Sequence, residues 1–146
     1  MSEDSYDGGS VGDGNLTQDI QHPGGGAADR VTQNFYDWRD RLVATKGGVQ
    51  TTESTSVHRP IGYFQFDNLG EVVTQESYDG DTVSITSTSG VPNPPSSGLR
   101  RAMTTVSYDD QGRAYQTNVW SVIPSGLSSG LYSTYALHTD TWYDHR

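Results

Sequence analysis

The segment Tyr108-Asp109-Asp110-Gln111-Gly112-Arg113 constrains the fold of this chain more than any other. Before it, Thr104, Val106 and Tyr108 alternate with Thr105, Ser107 and Asp109. That is the period-2 pattern of a strand with two unlike faces. Asp109 stands where a short acceptor can bond the backbone N–H two residues on, an Asx-type turn. Gly112 stands where a four-residue hairpin loop closes through a left-handed position. After Arg113, residues 114–120 (AYQTNVW) suit a returning strand. The segment predicts a β-hairpin.

Weaker copies recur along the chain. Ser5-Tyr6-Asp7 is followed by a glycine loop (Gly8, Gly9, Gly12, Gly14) and a short strand over 15–21. A strand over 30–37 ends in Tyr36-Asp37, turns at 38–41 and returns over 42–46. There Asp40 takes the place of Gly112, and Asp tolerates the left-handed region better than most residues. A strand over 61–67 ends in Phe66-Asp67, turns through Asn68-Leu69-Gly70-Glu71 and returns over 72–79. Gly47-Gly48 and Asp79-Gly80-Asp81 predict further turns. Residues 82–87 alternate as a strand, and Gly90 to Gly98, with three prolines, predicts a loop. Another loop is expected from Ile123 to Gly130, then a strand or strand pair over 131–141, with Trp142 to Arg146 opening one more copy.

No dozen residues keep apolar positions at helical spacing. The most helix-like stretch, 38–44, is too short to hold by itself. The fold class is therefore all-β: successive antiparallel hairpins in a twisted, partly open repeat sheet. The 146 residues form a single repeat region with units near 1–34, 35–63, 64–106 and 107–140, and a start at 141–146. A hydrophobic fraction of 32% is lean for a thick core and implies thin β-layers.

Charge and composition exclude several classes of partner. The net charge is −9, and the only adjacent basic pair is Arg100-Arg101. Nucleic acid and anionic membrane are not expected to bind. No apolar run approaches the ~20 residues of a membrane helix, so membrane insertion is not expected. No apolar stretch follows the acidic residues 1–4, so no signal peptide is expected in this sequence. There are no cysteines to form disulfides or thiolate metal sites.

Phe35-Tyr36-Asp37…Arg41-Leu42-Val43, Phe66-Asp67-Asn68-Leu69-Gly70-Glu71-Val72 and Tyr108-Asp109-Asp110-Gln111-Gly112-Arg113 together resemble the YD-repeat, or Rhs-repeat, family. Its pattern is roughly Tyr-Asp-x-x-Gly-Arg followed by an apolar residue. Starts at Tyr6, Tyr36, Phe66, Tyr108 and Tyr143 lie 30, 30, 42 and 35 positions apart, longer than the family's usual unit. The surplus falls in Gly- and Pro-rich loops. Only the Tyr108 copy matches fully. Glu71 replaces the usual Arg, and Asp40 the usual Gly.

The resemblance implies a segment of a spiral β-shell in a large secreted or cell-surface protein. Such shells serve cell contact or enclose a C-terminal toxin, and some members have been linked to carbohydrate binding. The motif residues carried over are Tyr36, Asp37, Phe66, Asp67, Gly70, Tyr108, Asp109, Gly112, Arg113, Tyr143 and Asp144, all in structural roles. The resemblance covers the repeat region only and suggests a fragment or a shortened gene product.

The expected partners are neighbouring repeats of the same or a parent chain, with self-association through exposed strand edges. Trp38, Trp120 and Trp142 are candidate platforms for a glycan, as flat rings stack on sugars; Tyr115 and Tyr135 share that chemistry. Gly126-Leu127-Ser128-Ser129-Gly130 spells a nucleophile elbow but lacks a following helix. Residues 13–19 alternate oxygen ligands, yet Gln18 stands at the sixth loop position and Gly24 at the twelfth of a calcium loop. His22, His58, His138 and His145 share no metal spacing. No cofactor, metal or catalytic activity is expected.

Overall fold

A computed structural model of the chain describes residues 1–7, 14–50, 52–54, 59–122 and 132–144. The protein is all-β, built from successive antiparallel hairpins. Eleven strands are described: β1 (Ser2–Tyr6), β2 (Leu16–Gln21), β3 (Arg30–Tyr36), β4 (Leu42–Val49), β5 (Pro60–Phe66), β6 (Val72–Asp79), β7 (Ser87–Thr88), β8 (Val91–Pro92), β9 (Arg100–Tyr108), β10 (Ala114–Val122) and β11 (Tyr132–Asp140). Nine of them form one sheet in the order β1-β2-β3-β4-β5-β6-β9-β10-β11, and β7 and β8 make a separate two-stranded hairpin. Among the described residues one 3-10 turn is present, over Ser97–Leu99.

The described chain divides into two compact units, residues 1–63 with 79–95, and residues 64–78 with 96–146. In the first unit the core is a strip on one face of β4 and β5. Ala44 pairs with Tyr63 and Lys46 with Ile61, so alternation brings all four side chains to the same buried face. Residues 79–95 cross that face. The Tyr63 hydroxyl donates to the Pro92 carbonyl at 2.7 Å, and Lys46 Nζ donates to the Val83 carbonyl at 2.7 Å. In the second unit Thr74, Glu76 and Tyr78 alternate along β6 to make the buried row.

A bulge recurs just after three of the hairpin turns. Tyr6 faces Leu16 but Ser5 faces Gln18; Tyr36 faces Leu42 but Phe35 faces Ala44; Tyr108 faces Ala114 but Ser107 faces Gln116. The second residue of each returning strand (Thr17, Val43, Tyr115) is the extra one. Such a bulge increases the local twist and re-aims the side chains around the turn.

Three local expectations are corrected. Gly47 and Gly48 do not turn the chain; β4 runs through them to Val49. Gly48 takes φ +68° where the register slips between Val31 and Gln33, so the pair makes a bulge. Residues 83–86 form no strand; only Ser87–Thr88 pairs, with Val91–Pro92. The proline-rich stretch is accordingly a small hairpin and a 3-10 turn, and it covers core. The acidic start, read only for its charge, is β1. The Gly126–Gly130 motif, Asp13, His58 and His145 lie outside the described residues.

Candidate functional site

The recurring turn is one constellation built three times. At Asp37 the aspartate N–H donates to the Arg41 carbonyl at 3.0 Å, and the Asp40 N–H donates back to the Asp37 carbonyl at 3.0 Å. Asp67 repeats this with Glu71 and Gly70, at 3.0 and 3.3 Å, and Asp109 with Arg113 and Gly112, at 3.0 and 2.9 Å. Each carboxylate then caps its own loop. Oδ1 of Asp37 accepts from the N–H groups of Arg39 (2.9 Å) and Arg41 (3.1 Å). Oδ1 of Asp67 accepts from Leu69 (2.8 Å) and Glu71 (2.9 Å), and that of Asp109 from Gln111 (2.9 Å) and Arg113 (3.0 Å). This is the expected Asx turn, extended by a second bond. The fourth residue is left-handed in all three: Asp40 at +59°, Gly70 at +90° and Gly112 at +72°.

Where the motif ends in arginine, Oδ2 holds the guanidinium. Arg41 Nε donates to Asp37 Oδ2 at 2.8 Å with Nη2 at 2.6 Å; Arg113 makes the same pair with Asp109 at 2.8 and 2.7 Å. Burial pushes the Asp37 carboxyl up, but the Arg41 guanidinium and the N–H groups of Arg41 and Arg39 outweigh it and hold it below the usual carboxylate range. The Arg113 guanidinium and N–H lower Asp109 in the same way. Glu71 breaks the pattern. Burial, then the neighbouring Asp67 and Asp109 carboxylates, push its own carboxyl up. Its Oε1 lies 2.7 Å from where a Cβ on Gly112 would sit.

The tyrosine before each aspartate has a role that sequence reasoning missed. Its hydroxyl reaches the first residue of the returning strand in the hairpin before. Tyr36 donates to the Leu16 carbonyl (3.2 Å), Tyr108 to Val72 (3.0 Å) and Tyr143 to Ala114 (2.8 Å). Leu16, Val72 and Ala114 open β2, β6 and β10, so the three bonds are equivalent. Phe66 holds this position without a hydroxyl. Asp7 caps a longer loop: its N–H donates to the Asn15 carbonyl, and its Oδ1 accepts from Gly14 and Asn15 at 2.7 and 3.1 Å.

The last of these junctions forms a cleft of about 480 Å³ lined by Arg113, Tyr115, Gln116, Asp140, Trp142 and Tyr143, with Asp109 beside them. The Arg113 guanidinium lies 4.4 Å over the Tyr143 ring, and Gln116 Nε2 donates to Asp140 Oδ1 at 3.0 Å. Trp142 is 91% exposed. The cleft combines open aromatic faces with carboxylate, amide and guanidinium groups. The other two platform candidates lie apart from it. Trp38 is 67% exposed at the tip of the Asp37 turn under the Arg39 guanidinium, 4.6 Å from the ring centroid. Trp120 is half-buried on β10, its Nε1 donating to Thr105 Oγ1 at 3.0 Å. Asp144 follows the Tyr143 contact in chain order, outside any strand.

Sequence reading also left buried ion pairs unnoticed. Lys46 Nζ meets Glu53 Oε2 at 2.8 Å beside a depression of about 420 Å³ that Gln33, Gln50 and Ser84 help to line. Arg59 pairs with Asp81 at 3.3 Å. Glu76 takes Arg100 at 2.8 Å and the Tyr78 hydroxyl at 2.9 Å. Burial first, and Glu76 next, push that phenol up to about 12 against the opposing pull of Arg100. Long-range charge pairs carry no local signature, so nothing along the chain could have joined them.

Among the described residues no three His, Asp, Glu or Cys side chains gather as a metal site. Asp19 of the calcium-like stretch lies on β2, and Asn15 Nδ2 donates to Asp40 Oδ1 at 3.0 Å. His22 pairs with Asp29 at 2.8 Å. Among the described residues no helix is long and apolar enough to cross a membrane. No protein-family model and no curated protein matches this sequence. The likeness to YD repeats therefore rests on the residues quoted above.

Proposed function

We propose that this chain is a structural repeat module, part of the β-wall of a large secreted or cell-surface protein of the YD-repeat kind, serving cell contact or the enclosure of a cargo. One observation carries the reading. The same capped turn is built at Asp37, Asp67 and Asp109, and three equivalent tyrosine hydroxyls tie a hairpin to the one before it. A device repeated with the same atoms serves continuity of the sheet, as in arrays where each unit is stable only against its neighbours. Interchangeable units are the test. Replacing residues 108–113 by the sequence of residues 36–41 is expected to keep the far-UV spectrum and leave a cooperative melt close to the parent's. Loss of the fold in that exchange overturns the modular reading. The surface location is tested separately, by antibody access to the chain on intact producing cells.

The cleft at Trp142 favours a second reading, a carbohydrate-binding module. Two exposed rings, Tyr115 and Trp142, stand beside Asp140, Gln116 and Arg113, the pairing of stacking faces with hydrogen-bonding groups that a sugar ring requires. Glycan-array binding that disappears in Trp142→Ala supports it; an array with no signal removes it.

A further inference from the structure

The segment that crosses the core strip of the first unit, residues 79–95, carries an exposed surface that neither the capped turns nor the Trp142 cleft uses. From Thr82 to Leu99 the sequence contains no Asp, Glu, Lys, Arg or His, in a chain whose net charge is −9. Within that neutral stretch Thr86-Ser87-Thr88-Ser89 is the longest run of hydroxyl residues in the sequence. Pro92, Pro94 and Pro95 follow it. Serine and threonine mixed with proline is the composition of O-glycosylated segments.

The fold adds an independent reason. Val83 and Ile85 are half-buried and Pro92 is buried, so apolar residues hold the segment against the sheet. The Tyr63 hydroxyl fixes it further through the Pro92 carbonyl, at 2.7 Å. All four residues from Thr86 to Ser89 are exposed. They lie on β7 and at the turn of the β7–β8 hairpin, outside the nine-stranded sheet. Thr104 and Thr105 show the contrast: they are half-buried on β9, with β6 paired on one side and β10 on the other. An enzyme that takes up its acceptor as an extended peptide requires a free flank of backbone, which the small hairpin offers and β9 does not. Asn93 Nδ2 donates to Thr86 Oγ1 at 3.1 Å and to Thr88 Oγ1 at 3.0 Å. Each of these oxygens still has its own proton and a second lone pair.

We propose that the hydroxyls of Thr86, Ser87, Thr88 and Ser89 are a site of O-glycosylation, modified by a transferase that uses a nucleoside diphosphate sugar. In the transfer the hydroxyl oxygen attacks the anomeric carbon of the donor. The bond from that carbon to the diphosphate oxygen breaks, and the nucleoside diphosphate leaves with the electron pair. The hydroxyl proton passes to a base of the transferase. A sugar added here extends into water and displaces nothing in the core. Phosphoryl transfer to the same hydroxyls is disfavoured, because kinases select substrates by charge pattern and this stretch has no charge. The inference uses only the crossing segment, so its failure leaves the repeat reading and the Trp142 cleft untouched.

The test is intact-mass spectrometry of the whole chain isolated from the cells that naturally make it. The expected spectrum is a ladder above the 15.9 kDa polypeptide in steps of one sugar residue. Electron-transfer fragmentation is expected to map those sugars to residues 86–89. Made in the same cells, the variant that combines Thr86→Ala, Ser87→Ala, Thr88→Ala and Ser89→Ala is expected to lose the ladder, with an unchanged far-UV spectrum verifying its fold. Mapping on the unaltered chain decides the question even where that variant fails to fold. A bare polypeptide mass overturns the proposal. So do sugars confined to other residues, a ladder that persists in the folded variant, and mass steps that a phosphatase removes.

Discussion

Asp37 offers the sharpest check on the turn. Its side chain is only 3% exposed and accepts four bonds: two backbone N–H groups on Oδ1 and the Arg41 guanidinium twice on Oδ2. Asp37→Ala removes the acceptor of two N–H groups and the carboxylate that the Arg41 guanidinium grips. Removing one member of a buried pair costs about 3–5 kcal/mol. Arg41 is 24% exposed and can turn toward water, which places the loss near the lower end, about 3 kcal/mol. In a chain of this length that lowers Tm by about 6–12 °C. Asp37→Asn keeps an acceptor for both N–H groups and loses only the charge, so its loss is expected to be about half as large. The assay is urea unfolding followed by tryptophan fluorescence, with Trp38 adjoining the turn. A loss below about 1 kcal/mol in Asp37→Ala would refute the claim that the carboxylate holds this turn together.

Four further outcomes follow from the same geometry. Tyr108→Phe removes the hydroxyl bonded to Val72 and is expected to cost about 1 kcal/mol; Tyr36→Phe is expected to cost less, because Asn34 Nδ2 still donates to the Leu16 carbonyl at 3.1 Å, and equal losses in urea titrations would contradict this ranking. Gly80→Ala would set a Cβ 2.7 Å from Ile61 Cγ1 and 2.8 Å from the Arg59 carbonyl, and since backbone cannot yield as a side-chain tip does, a loss of about 3 kcal/mol is expected; an unshifted denaturation midpoint refutes it. Asp37, Asp109 and Glu53 have carboxyls held below their ordinary values, so their contribution is present above the unfolded-state values of about 4 and is lost as pH falls through the folded ones. Glu71 is raised and has the opposite sign, stabilising only while protonated, so Glu71→Gln is expected to raise Tm at neutral pH; a lower Tm counts against the repulsion described for it.

The local chemistry was legible along the chain because its causes are local. A short acid followed three residues later by a residue tolerant of positive φ dictates the turn whatever surrounds it, and alternation dictates the strands that flank it. Tyr108 to Arg113 and the Asp40 substitution could both be read that way. The glycine pair at 47–48 misled because glycine serves bulge and turn equally, and only the partner strand β3 selects between them. Residues 82–95 misled because proline and serine mark a loop, while burial against Tyr63 and Lys46 is decided by distant residues. For the same reason the destinations of the tyrosine hydroxyls, and the pairing of Lys46, Arg59 and Glu76 with Glu53, Asp81 and Arg100, belong to the tertiary structure. A hydrogen bond between residues 20 to 36 positions apart depends on which strands become neighbours, and no spacing in the sequence encodes that.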